Sequence, residues 1–75
     1  MSGKASRLAA AVGARIRSVR LSRGITQRAA ARAAGISNVW LCEVERGRGE
    51  ISLGTLERIA AALGVRPVEL LRGAK

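Results

Sequence analysis

The chain has 75 residues, 48% of them apolar, and Trp40 is its single aromatic side chain. That length suits one small domain, which buries only about 60% of the surface its unfolded form exposes, and the apolar share excludes a disordered basic tail. Fourteen Lys and Arg against five Asp and Glu give a formal net charge of +9, which points to a polyanionic partner.

Most of the cations are Arg, the residue suited to forked contacts with phosphate and guanine. A solvated basic surface, or codon usage that favours Arg, would give the same balance. Cys42 is the only cysteine and histidine is absent, so neither an internal disulfide nor a Cys/His metal site is expected. A lone cysteine fits a reducing cytoplasm. No apolar run is longer than Ile59 to Leu63, far too short to span a membrane, and the N-terminus lacks the build of a signal peptide. There is no clustered carboxylate set, reactive-cysteine setting or phosphate loop, so neither enzymatic activity nor a cofactor is expected.

Residues 1–6 (MSGKAS) are small and polar and are expected to form a flexible N-terminal arm before a domain over residues 7–73. A first helix is predicted from about Ser6 to Arg23, because Leu8, Val12, Ile16 and Val19 paint one apolar stripe. Gly24 is a natural left-handed stop. Thr26 caps a second helix, Gln27 to Ala34, with Ala30, Ala31, Ala33 and Ala34 as its inner face and Gly35 as its end. Ser37 caps a third, through about Arg46, with Leu41 and Val44 facing inward. Gly47 stops it, and residues 48–50 form a loop. Ser52 caps a fourth helix, Leu53 to Leu63, whose core stripe is Leu53, Leu56, Ile59 or Ala60, and Leu63. Gly64 closes it. Pro67 starts a short fifth helix carrying Val68, Leu70 and Leu71.

The second and third helices have the spacing of a helix-turn-helix. Such a unit needs a small residue where its helices cross, which Ala31 supplies. It needs a sharp turn through positive φ, which Gly35 supplies four residues later. It needs apolar anchors under the second helix, which Leu41 and Val44 supply. In a basic chain, that second helix would be presented to DNA.

At these residues the chain resembles the Cro and phage-repressor (XRE) family. The matching pieces are ARIRSVRLSRGITQ, AGISNVWLCEVERG and SLGTLERIAAALGVRPVELL, together covering about residues 8–71. The resemblance implies an all-α, five-helix, lambda-repressor-like domain that binds operator DNA as a homodimer and regulates transcription. It also implies that Arg20 and Glu45 form a buried ion pair clamping the end of the recognition helix to the first helix. Their alternative is a place among ordinary surface charges. The chain departs from the family pattern at Ala29 and Ala30, where Glu and Leu are usual. A Leu-to-Ala change in a core costs a few kcal/mol unless the gap is filled, and Trp40 is a candidate filler.

By the same resemblance, Ser37, Asn38, Val39 and Glu43 face the major groove. Asn38 suits adenine, Val39 a thymine methyl and Glu43 a cytosine amino group. Asn38 could instead act as a second cap, and Glu43 could pair with Arg46 along the helix. No Arg lies on the groove side of this helix, so guanine contacts would come from elsewhere. Gln27 matches a position that often bonds a phosphate. Arg28, Arg46 and Arg48 flank the same surface as phosphate clamps. Trp40 either touches the DNA backbone through its indole N–H or packs inward.

Leu53, Val65, Val68, Leu70 and Leu71 exceed the needs of so small a core and form the expected dimer face. A dimer would read a near-palindromic site with half-sites about one helical turn apart. With no sensor segment in view, no small-molecule effector is expected. Alternatives are an antitoxin-type protein that mainly binds a protein partner, and a non-specific nucleic-acid-binding protein. Cytoplasmic residence, on the nucleoid when DNA is bound, follows from the leading reading.

Overall fold

The computed structural model describes residues 7–72. The expected N-terminal arm and Gly73 therefore lie outside the described residues. The described residues form five helices in the order α1 Arg7–Ser22, α2 Gln27–Ala34, α3 Asn38–Glu45, α4 Leu53–Leu63 and α5 Pro67–Leu71.

Local chemistry sets most of these boundaries. The hydroxyls of Thr26, Ser37 and Ser52 accept from the backbone N–H groups of Ala29, Trp40 and Thr55. Each satisfies a donor that the first helical turn leaves unpaired. Gly24, Gly35, Gly47 and Gly64 all take positive φ at helix ends. Pro67 opens α5, where its missing N–H is harmless.

The core is aliphatic. Ile16, Leu41, Ile59, Leu63 and Leu70 are the largest fully buried side chains, and burial of each contributes roughly 1.5–3 kcal/mol. Ala30, Ala31 and Ala34 are also sealed from solvent, because their short side chains let α2 rest closely on α4, its main neighbour.

Four residues sit differently from the sequence expectation. Leu8 is 54% and Leu53 80% exposed, so neither belongs to its helix's core stripe. Each lies near a helix start, on the wall of an open groove. Ala33 is exposed on the outer face of α2. Leu70, expected on a subunit interface, is wholly buried, because α5 folds back onto α1 and α4 and points this residue into the domain's own core.

The contact that positions the third helix is made by backbone. A Cβ on Gly13, in mid-α1, would collide with the carbonyl oxygen of Val44. A Cβ on Gly47, just beyond α3, would lie 2.9 Å from Ala10 Cα. The absence of side chains at these two points brings α1 and the end of α3 into direct apposition.

Candidate nucleic-acid interface

The α2–turn–α3 unit is built from its glycine outward. Gly35 has φ 72°, and its N–H donates to Ala31 and Arg32 at the end of α2. The N–H of Ile36 also donates to the Ala31 carbonyl, at 3.0 Å. An L side chain is strained in this left-handed geometry, whereas glycine is not. The chain then reverses through Ser37 into α3.

Helix α3 has two unlike sides. Leu41, Val44 and Glu45 are buried and hold it to the body. Ser37, Asn38 and Val39 at its N-terminal end are exposed, Val39 to 71%. Glu43 and Cys42 are half-buried. Asn38 and Val39 are therefore free to meet another molecule, while Ser37 spends its hydroxyl on the cap.

Beneath the C-terminal end of α3 lies a charged knot. Arg20 Nε donates to Glu45 Oε2 at 2.7 Å, and Arg20 Nη2 donates to Glu45 Oε1 at 3.0 Å. Such a two-bond fork is the strong form of an ion pair. Arg20 Nη1 donates to the Ile25 carbonyl at 2.9 Å, and Gln27 Nε2 donates to Glu45 Oε1 at 3.2 Å. Arg20 and Glu45 are 6% and 7% exposed. The hydrogen bond to Glu45 holds the Arg20 guanidinium above its usual pKa, against the opposing effect of burial. No buried side-chain N or O among the described residues lacks a partner. The knot joins α1, the α1–α2 turn, the start of α2 and the end of α3.

The flanking residues divide. Arg28, Arg46 and Arg48 are exposed. Gln27 is half-buried and turns its amide toward Glu45. Glu43 faces Arg48, with Oε1 and Nη1 4.0 Å apart, and not Arg46 as the helical spacing allowed. Arg46 ends α3 as its cap residue. Trp40 is half-buried, and its ring lies over Gly49, where a Cβ would be 2.7 Å from Cη2. The ring thus closes the loop after α3.

Arg58 was not singled out by sequence. Its Nη1 would lie 3.6 Å from a Cβ on Gly35, which puts an exposed guanidinium beside the helix-turn-helix bend. The only sequence signal was its place off the α4 core stripe. The packing of α4 on α2 turns that place into a neighbour of the turn. Of the expected dimer residues, Leu53, Val68 and Leu71 are 80%, 50% and 40% exposed. Leu8, Ile51, Leu53 and Leu71 line one apolar groove. Val65 does not join them. It is half-buried against the core and lines a separate cleft beside α1.

A family model described as a helix-turn-helix domain matches residues 11–72. This chain belongs to that family. Among relatives of the helix-turn-helix domain, the immunity repressor protein of Bacillus phage phi105 is 44% identical over 55 residues, spanning 73% of this chain and 38% of the repressor. The chain thus spans well under half the length of that relative. Among solved structures, the clp gene regulator ClgR of C. glutamicum superposes with a TM-score of 0.83 at 41% identity, covering 85% of this chain and 83% of that one. The restriction–modification controller protein C.AhdI of Aeromonas hydrophila gives a TM-score of 0.80 at 32% identity, covering 83% of this chain and 94% of that one. No helix among the described residues is long and apolar enough to cross a membrane.

Proposed function

We propose that the chain binds double-stranded DNA with α3 in the major groove and serves as a transcriptional regulator, a repressor acting at an operator in the cytoplasm. The observation that carries this reading is the two-sidedness of α3. Its N-terminal side chains are open and its other side is fixed by Leu41, Val44 and the Arg20–Glu45 pair. The kinship with proteins named as repressors, regulators and controllers supports it.

In this reading Asn38 reads an adenine, Val39 packs on a thymine methyl and Glu43 accepts from a cytosine. Ser37 and the indole of Trp40 lie at the groove edge. Arg28, Arg46 and Arg48 hold phosphates, joined by Arg58, and Gln27 offers its backbone N–H at the start of α2. Arg48 also offsets the charge of Glu43 when no base is present. A homodimer forms through the apolar groove that carries Leu8, Leu53 and Leu71, with Val68 beside it on α5, and places two copies of α3 on a near-palindromic site.

Selection of bound sequences from random duplexes with purified protein tests this. The expected product is a two-fold symmetric site whose half-sites are read mainly at adenine, thymine and cytosine edges. Enrichment of no sequence would overturn it. Affinity should also fall with salt at a slope near −0.9 for each phosphate neutralised, and a flat salt response would remove the proposed arginine clamps.

A further inference from the structure

A second basic surface lies away from α3. Arg15, Ser18 and Ser22 on α1, with Arg23 just beyond its end, face Gly64 and Arg66 at the α4–α5 turn across an open cleft. The side chain of Arg23 leans over that turn, with Nη1 3.6 Å from where a Gly64 Cβ would be. Arg15 is tied down, its Nε donating to the Glu69 carbonyl at 3.0 Å. The Glu69 carboxylate meets Arg72 at 3.2 Å and Arg66 at 3.7 Å. Three guanidiniums (Arg15, Arg66 and Arg72) therefore act on this one carboxylate, and Arg23 lines the same cleft. Arg23 has no carboxylate partner among the described residues, and Arg66 is 80% exposed. The Ser18 hydroxyl is a spare donor on the same wall.

The position of this cleft relative to α3 follows from helix geometry. Ala10, Gly13 and Arg20 on α1 meet Gly47, Val44 and Glu45, at or just beyond the end of α3. Arg15, Ser18, Val19 and Ser22 are the α1 residues in the cleft. At about 100° per residue, the centres of the two sets lie roughly 180° apart around α1. A duplex seated on α3 cannot also reach the cleft, because α1 stands between them.

We propose that this cleft is a second phosphate-binding site, and that it grips the backbone of another duplex segment while α3 occupies the first. Its excess positive charge and its donors match a phosphodiester, the sequence-independent part of a duplex. The protein would then bridge two stretches of DNA. The bridging half rests on the function proposed above; phosphate binding does not.

The test uses the full chain and a variant carrying Arg23→Gln and Arg66→Gln. Neither side chain is part of the α3 face or the core. In the first measurement, amide NMR follows a titration with inorganic pyrophosphate. Saturable shifts at Ser22–Gly24 and Gly64–Arg66 are expected in the wild type and not in the variant. Their absence in the wild type would overturn the site. In the second, a duplex on a surface is loaded with protein and offered a second, labelled duplex. The variant should load like the wild type but capture the second duplex about tenfold less, as loss of two phosphate contacts implies. Equal capture would overturn the bridging role. NMR shifts in a wild type that captures no second duplex would do the same, and would assign the cleft to a free phosphate compound. A wild type that fails to load at all would instead count against the function proposed for α3.

Discussion

Arg20 and Glu45 are the residues at which the geometry of the domain is most exposed to single changes. A buried ion pair contributes little over an apolar replacement, but removing one partner strands the other, at about 3–5 kcal/mol. Glu45→Ala should therefore lower the melting temperature by well over ten degrees, since each kcal/mol shifts it roughly 4–8 °C in a domain this size. Glu43→Ala, on a half-buried carboxylate 4.0 Å from its cation, should shift it by a few degrees at most. Equal melting temperatures for Glu45→Ala and the wild type would contradict the buried fork. Glu69 gives a second test at this scale. The Arg72 hydrogen bond, aided by Arg66 and Arg15, holds its carboxyl below the usual range. The stabilisation is present above the unfolded carboxylate pKa and is lost as pH falls through the folded value. In an NMR pH titration Arg72→Gln should raise the Glu69 midpoint, and an unmoved midpoint would exclude Arg72 as the main cause.

At the scale of elements, punctuation was legible and packing was not. Thr26, Ser37, Ser52, Gly35, Gly64 and Pro67 mark helix boundaries through chemistry that acts within a few residues. The bounds of α2 and α4 follow from them directly. Burial depends on what lies across the gap. The helical period puts Leu8 and Leu53 on apolar stripes, but no element covers them. The same period cannot say that Leu70 turns inward. The α3 face was readable from spacing and resemblance, whereas Arg58 entered the site only through the packing of α4. Gly13 is the clearest case. Within a run of helix formers it reads as a small local weakness. In the fold it is where α1 meets the Val44 carbonyl. Gly13→Ala raises helix propensity, yet it should destabilise the domain by several kcal/mol and weaken DNA binding, because the obstacle is backbone and α3 must shift. Calorimetry and a binding isotherm check both, and a stabilised Gly13→Ala variant would refute the close approach. Gly49 tells a milder story, since its obstacle is the edge of the Trp40 ring, which can tilt.

For the molecule as a whole, the proposals assign three surfaces. The α3 face reads DNA, the apolar groove of Leu8, Ile51, Leu53 and Leu71 joins two copies, and the cleft behind α1 holds phosphate. The groove proposal makes a simple forecast. Leu53 is 80% exposed, so Leu53→Glu should leave the fold intact and convert a dimer to a monomer in sedimentation. A variant that stays dimeric, or a wild type that is monomeric at micromolar concentration, would move the interface elsewhere.

The clamp under the far end of α3 has one further consequence. Leu41, Val44 and Glu45, with the backbone apposition at Gly13 and Gly47, fix the rod to its mount, whereas positions 38 and 39 are exposed. The tip is therefore interchangeable. An engineer could rewrite those leading side chains to address a different target sequence, leaving the chassis, with its arginine rivet, untouched.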